Sequence, residues 1–407
     1  MPAALRVFFL FALGYFVSYV YRGVNLGFAP YLTHELGMSA ADLGLLTSLY
    51  FLGFAGAQLP VGILLDRFGS RRVTAVLILV AATGSVVFGM ATSKSGLMLG
   101  RLLIGIGLAA CLGAAFKALA QWFDFKRLPL LNGLTMAIGG LGGVAMGSPL
   151  LWLLSLTDWR SICFGLAGFS ALVALGIWFG VPKSREVAHE ADFKSQLLGS
   201  WHVLKSPVFW KVAAFSSMTQ GVFYAMQSLW MAPYLRDVSG LAPAQVGSVI
   251  SVLGVAMMAG SVGFGFLARS LERHGISVRL FSGFGMLLFM LIQGLIMAQV
   301  AVPLWLLWAA YGLVGGCGIL SYAVLVEHFP IQLIGRVNTS LTLLIFVLIF
   351  LCQLAVGSVL SLWPATDGHY PAVAHLVAWG ILLGLQVMTA VWYFFPKRKV
   401  ISLAVYG

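Results

Sequence analysis

The sequence predicts an all-α membrane protein whose twelve transmembrane helices form two six-helix bundles related by a pseudo-twofold axis. Three observations carry this. Of 407 residues, 60% are hydrophobic and 9% charged, against about a quarter charged in an ordinary soluble domain, so the chain holds more apolar surface than its own core can hide from water. The apolar residues gather into twelve runs, each close to the ~20 residues that cross ~30 Å of hydrocarbon. The order then repeats. Sliding the chain by 203 residues lays Tyr21 on Tyr224, APYL at 29–32 on APYL at 232–235, Gly37 on Gly240, Ala41 on Ala244, Gly44 on Gly247, Ser48 on Ser251 and Gly62 on Gly265. A slightly longer offset of 206 pairs Phe123 with Phe329 and Asn132 with Asn338.

The runs fall at 7–32, 43–65, 73–92, 97–123, 129–155 and 161–181, then at 208–235, 245–268, 280–301, 303–326, 337–363 and 373–395. They are long, continuous and rich in Leu, Ala and Gly, unlike the alternating segments of about ten residues in a membrane barrel. The expected organisation is a bundle over 1–181, a polar linker over 182–207 and a second bundle over 208–407. Same-order halves that both start on one side are parallel repeats related by an axis along the membrane normal, a layout that places a ligand site between them near mid-membrane. Glycine-rich stretches at 138–147 (IGGLGGVAMG) and 312–318 (GLVGGCG) suit close helix approach.

The net charge of +12 reports topology rather than a nucleic-acid partner. With the N-terminus inside, 18 of 24 basic residues fall in inner segments, among them Arg67, Arg71, Arg72, Lys126, Arg127, Lys183, Arg185, Lys194, Lys205, Arg273, Arg336, Lys397, Arg398 and Lys399, and only Lys94, Arg160 and Arg236 fall outside. Basic residues accumulate on the cytoplasmic side of membrane helices, so both termini are expected there, in a multi-pass protein of a bacterial inner or plasma membrane. Cys111, Cys163, Cys317 and Cys352 sit in apolar runs without metal-ligand spacing and read as small core residues. The first run is long for a cleavable signal and reads as span one. No cofactor and no metal are expected.

Ionisable residues inside a span cost about 2.5–3.5 kcal/mol each on insertion scales and normally face a cavity or partner. Span one carries Ser18, Arg22 and Asn25 at i, i+4, i+7, one helix face, beside Tyr21. Span seven answers with Gln220, Tyr224 and Gln227 at the same spacing, while Arg22 falls on Ala225, leaving the charge one-sided. A guanidinium holds a carboxylate or phosphate bidentately, so an anionic substrate group is the expected partner; a structural ion pair is the alternative. Tyr50 and Gln58 in span two and Gln353 in span eleven are secondary pocket candidates or packing groups. Arg101, near the outer end of span four, takes either a coupling role or a snorkelling one. Lys117, 16 residues on, is expected toward the inner end. All twelve acidic residues fall in loops or near span ends, with Glu327 nearest the membrane.

The loop after span two reads GILLDRFGSRR over 62–72 and resembles the signature of the major facilitator superfamily at Gly62, Asp66, Arg67, Gly69, Arg71 and Arg72, with Ser70 where a basic residue is usual. RLLIGIG from Arg101 and Asp158-Trp159-Arg160 before span six resemble further family patterns, and the second-half loop over 265–275 is degenerate, with Arg269 at the aspartate position. The resemblance implies that Asp66 acts as a gate on the cytoplasmic side, with Arg67 and Arg71 as its partners or as lipid-facing anchors. Tyr21-Arg22 and Gln58, Pro60 and Gly62 are similar to the anion:cation symporter branch, although that branch usually has an acidic residue where Tyr21 stands.

These readings converge on a secondary active transporter moving a small organic anion by alternating access, as symporter or antiporter. Uptake of a zwitterion such as an amino acid, uptake of a siderophore-like compound, and proton-coupled drug or metabolite efflux stand as alternatives. Protons are one coupling route, through the substrate, Glu327 or His328; exchange of two anions is another. An enzyme would need catalytic groups clustered at membrane depth, and the seven histidines are scattered. The expected partners are a small-molecule substrate and the lipid bilayer, with the chain a monomer.

Overall fold

The computed structural model describes residues 3–124, 127–182, 200–330, 333–366 and 368–395. Most of the expected linker and the basic residues Lys126, Lys183, Arg185, Lys194, Lys397, Arg398 and Lys399 lie outside this set, as does the side chain of Arg269. Among the described residues the chain is helical, with one isolated bridge between Thr366 and His369.

Among the described residues nine helices are long and apolar enough to cross a bilayer, and Leu130–Ala145 with Ser148–Leu156, bent by 46°, makes a tenth. One of the nine, Ala40–Met90, has 51 residues, about 76 Å of helix and over twice the hydrocarbon thickness. It turns at Gly69 (φ 80°, ψ 158°), a backbone that only glycine adopts cheaply, and so supplies spans two and three. Span seven is Pro207–Ala225, a π-helical turn Met226–Trp230, and Met231–Asp237. The total is the expected twelve.

The repeated letters mark repeated structure. Gly37 and Gly240 both take left-handed φ, 58° and 66°, and end spans one and seven. Pro30 and Pro233, inside APYL, cannot donate a backbone hydrogen bond and crowd the carbonyl four residues back. In both halves the helix departs from α geometry upstream: span one breaks at Val24, between Ala3–Gly23 and Asn25–Leu36, and span seven opens into its π turn. Span four breaks between Leu108 and Cys111, and 206 residues on span ten changes from Leu304–Gly315 into the 3₁₀ turn Gly316–Leu320. The change of offset is also placed: the Gly69 turn recurs 206 residues later at Gly275 (φ 82°).

The halves meet along spans two and eleven and spans five and eight. Glycines make the seam close. A Cβ on Gly44 would stand 2.8 Å from the Gln353 carbonyl oxygen and 3.3 Å from Gly357 Cα, and one on its repeat partner Gly247 would stand 3.3 Å from Ser148 Cα. Ser251, repeat partner of Ser48, accepts from Ser148 N (3.0 Å) and donates to the Val144 carbonyl (3.3 Å). Ala40 N donates to Tyr370 Oη (3.0 Å) and Ala41 N to Ser361 Oγ (2.9 Å). With Tyr19 and Tyr224 these are the hydrogen bonds that join the halves among the described residues, all in the part of the molecule running from mid-span to the Gly37 and Gly240 turns. Toward the Gly69 end, Gly113, Gly133, Gly263 and Gly335 would meet nothing within 4 Å of a Cβ.

Candidate functional site

The break in span one leaves carbonyls without helical partners, and buried orphan carbonyls need a donor. Arg101 supplies it. Its Nη1 donates to the Tyr21 carbonyl (2.7 Å) and its Nη2 to the Arg22 carbonyl (3.5 Å), with the Tyr50 ring 5.3 Å from its Cζ. Arg101 is 1% exposed and stands seven residues into Lys94–Leu108, about 10 Å along the helix, so it does not snorkel. Span seven solves the equivalent problem with an amide: Gln353 Nε2 donates to the Ala225 carbonyl (3.0 Å) and to Ser228 Oγ (2.5 Å).

The local break thus holds Arg22 between the halves. Its guanidinium lies 4.5 Å from the Tyr19 ring centroid, 5.2 Å from Tyr224 and 5.5 Å from Phe346, a cage drawn from spans one, seven and eleven. Arg22 is 6% exposed, its Nε makes no hydrogen bond, and no carboxylate pairs with it among the described residues. Cation–π contacts worth about 0.5–2 kcal/mol each offset part of the cost of burying a guanidinium, yet its planar donors remain without an acceptor. Beside it is a cavity of ≈ 10 Å³, lined by Arg22, Tyr19, Gly143, Met146, Gln227 and Ser228 among others, about the space of one water. Phe54 and Phe346 stack at 4.1 Å across the interface below it.

The other sequence-selected residues divide. Tyr224 and Gln227 reach this site, Gln227 Nε2 touching Met257 Sδ at 3.1 Å. Ser18 and Asn25 face span two instead, Ser18 Oγ 3.2 Å from Tyr50 Oη and Asn25 Nδ2 donating to Thr47 Oγ1 at 2.9 Å. Tyr21 accepts from Ser170 Oγ in span six (3.3 Å). Gln58 donates to the Ala109 carbonyl (3.4 Å), at the break in span four. Gln220 packs on Gly318 in span ten with its Nε2 buried and unbonded.

At the Gly69 end, Asp66 pairs with Lys117, not with Arg67 or Arg71: Lys117 Nζ is 2.9 Å from Asp66 Oδ1 and 2.6 Å from the Leu65 carbonyl. Arg67 lies over Phe68, and Arg71 donates to the Val181 carbonyl (3.2 Å). Glu327 is exposed just past span ten, away from Arg22.

Sequence reading missed one acidic residue. Asp237, at the end of span seven, has a side chain with 0% exposure. It accepts from Arg236 Nε (2.7 Å), His369 Nδ1 (2.8 Å), His375 Nε2 (3.0 Å) and Tyr370 N (3.1 Å). Tyr370 is the residue whose hydroxyl holds Ala40 of the other half, so a buried carboxylate organises the loop that closes this end. The N-terminal half has an exposed analogue: Glu35 accepts from Trp159 Nε1 (2.9 Å) and Arg160 Nη1 (2.5 Å), with a side chain 43% exposed. No local pattern in the sequence marks Asp237, since its partners His369 and His375 stand 132 and 138 positions later.

Comparison with known proteins matches residues 11–351 to the family model described as Major Facilitator Superfamily. The chain is 25% identical to a probable sulfoacetate transporter of Cupriavidus necator over 66% of each chain. It is 31% identical to a multidrug resistance protein, MdtL, of Klebsiella pneumoniae over 43% of this chain and 45% of that one. These matches span less than two thirds of the relatives' own lengths. Among solved structures, a bacterial homologue of the human lysosomal transporter Spinster, inward-facing and occupied, superposes with a TM-score of 0.76 at 18% identity, covering 97% of each chain.

Proposed function

The chain belongs to the major facilitator superfamily, and from that premise we propose that this transporter carries a small organic anion, held by Arg22 between its halves. One observation carries the reading: a guanidinium 6% exposed at the interface, ringed by Tyr19, Tyr224 and Phe346, with no carboxylate partner among the described residues. A carboxylate or sulfonate supplies the two acceptor oxygens that a planar fork is shaped for, and the aromatic walls suit a ligand with an apolar portion. The resemblance to a sulfoacetate transporter supports an anion.

The bundles 1–181 and 208–407 are the bodies that rock, about the glycine seam. Taking the basic end as cytoplasmic, the described state is closed outside, by the Asp237–Tyr370 loop and the seam, and parted inside. Asp66 is then unlatched, spent on Lys117 within its own half. The space beside Arg22 holds about one water, so ligand binding displaces Tyr19, Tyr224 or Met146. Coupling runs through the ligand's own proton, through Glu327 or His328, or through anion exchange.

The test is uptake of labelled organic anions into proteoliposomes, with an inward pH gradient, without one, and preloaded with unlabelled anion. Uptake that vanishes in Arg22→Ala supports the reading; equal rates with and without the gradient assign exchange rather than proton coupling. The resemblance to a multidrug resistance protein favours a second reading, proton-coupled efflux of drugs or metabolites. Export of such compounds that is unaffected by Arg22→Ala, with no anion flux, would establish that reading in its place.

A further inference from the structure

We infer that the N-terminal half carries a second anion site, remote from Arg22, that takes a phosphate-bearing group at its Gly69 end. The loop joining spans two and three covers a cavity of ≈ 240 Å³ between the ends of spans three, four and six, walled by Arg67, Arg71, Arg72, Gln121, Trp122 and Pro182 among others. It is far roomier than the ≈ 10 Å³ beside Arg22, large enough for a phosphate and part of what it is attached to.

The described residues that line it carry charge of one sign. Among the described residues no carboxylate lines the cavity; the adjacent Asp66 is engaged by Lys117; and Arg67, Arg71 and Arg72 form no ion pair. Arg71 is set in place by its bond to the Val181 carbonyl and by Trp178, 5.9 Å from its Cζ, which leaves most of its five N–H donors for a ligand. Arg67 and Arg72 are exposed at the rim. The turn at Gly69 (φ 80°) is what folds the loop back so that residues on both sides of it reach one space. Three like charges held together repel one another, a cost removed by an anion shared among them.

Phosphate fits this better than carboxylate. Three guanidinium forks offer more donors than two carboxylate oxygens accept, whereas a phosphoryl group presents three or four oxygens and up to two charges. Basic pockets between membrane helices at the headgroup level hold anionic lipid headgroups, and Trp122 in its wall is a residue type found at that level. The shared chemistry is a phosphoryl group, whether on a lipid or free in solution.

The test uses the full chain in nanodiscs of phosphatidylcholine alone or with one-fifth phosphatidylglycerol, read by native mass spectrometry for co-purifying lipid. In phosphatidylcholine discs, melting is followed with inorganic phosphate against chloride at equal ionic strength. Two triple variants are compared with the parent: Arg67→Gln, Arg71→Gln, Arg72→Gln in the pocket, and Arg6→Gln, Lys205→Gln, Arg273→Gln as an equal charge loss at the same end. Selective retention of phosphatidylglycerol is expected, falling about fivefold per pocket arginine removed and surviving in the control variant. A phosphate-dependent rise in melting temperature without lipid enrichment, lost at the same three positions, assigns the site to soluble phosphate. Should loss of the Arg71 bond to Val181 prevent folding, Arg67→Gln with Arg72→Gln reads the same effect from exposed positions. No lipid selectivity and no phosphate shift in the parent, or equal losses in both variants, would overturn the inference. Transport is not the readout, so the outcome stands apart from that at Arg22.

Discussion

Span one and span seven share a proline-bearing tetrapeptide, a helix break and a glycine stop, but plug their breaks with different chemistry. In the first, the freed carbonyls of Tyr21 and Arg22 are taken by the guanidinium of Arg101. In the second, the carbonyl of Ala225, the repeat partner of Arg22, is taken by the amide of Gln353. The pattern extends across the halves: Arg22, Arg101 and Lys117 stand where the second half has Ala225, Leu307 and Ala323. The positions the repeat preserves build the frame, as at Gly37 and Gly240, Gly44 and Gly247, and Ser48 and Ser251. The positions it does not preserve put Arg22, Arg101 and Lys117 in one half, leaving the other to face Arg22 with aromatic and amide walls. A frame that is duplicated with a charge that is not is what a cleft needs to bind an ion from one side.

The largest effect should appear where the second half buries a charge that the first half exposes. Asp237→Asn removes the negative charge and one of the two acceptor oxygens shared by Arg236, His369 and His375, and breaking a buried charged network costs about 3–5 kcal/mol. Thermal unfolding in detergent should drop accordingly, and cysteine labelling near Tyr370 should rise. Unchanged melting would mean that the carboxylate does not organise the loop bearing Tyr370.

Next in size is the seam. Gly44→Ala pushes a methyl against the Gln353 carbonyl, and overpacking costs about 1–3 kcal/mol, borne only while the halves touch. Inter-half distance measurements by spin labels should show a shift of about 5-fold or more toward an outward-open population. Gly56→Ala, which meets nothing, should leave the distances within error. Equal behaviour of the two variants would remove the seam from the mechanism.

Asp66→Asn removes the negative charge that holds Lys117 at the gate, and because both side chains are partly exposed (40% and 30%) the shift in the state balance should be smaller, about threefold and at most about fivefold. A balance and transport rate identical to the parent's would exclude Asp66 from gating. Smallest of all, Glu35→Gln, the exposed counterpart of Asp237, should cost under about 1 kcal/mol in the same melting assay. A loss as large as that of Asp237→Asn would erase the contrast between the halves' outer ends.

Much of this frame was legible because membrane spans are long and the repeat offset changes only from 203 to 206, so the twelve helical spans stand where the apolar runs put them. The site was less legible because helical spacing assumes an unbroken helix. Ser18, Arg22 and Asn25 share a face by count, yet the break at Val24 and the hydroxyls of Tyr50 and Thr47 turn Ser18 and Asn25 toward span two. Arg101 lies deeper than its apolar run suggested because the helix starts at Lys94, capped by Ser93, ahead of the first hydrophobic residue. Asp237 was hidden for the converse reason: a residue at a span end is buried here by a loop about 130 positions later in the chain, and no local pattern encodes such a contact.

The most direct measurement is isothermal titration of the purified chain with a panel of small carboxylates and sulfonates, repeated with Arg22→Ala and with Arg22→Lys. At least one anion should bind the parent, lose about 2–5 kcal/mol of affinity in Arg22→Ala, and recover only part of it in Arg22→Lys, whose ammonium keeps the charge without the planar fork. An anion that binds all three proteins within twofold of one another would show that the buried guanidinium holds the fold together rather than the cargo.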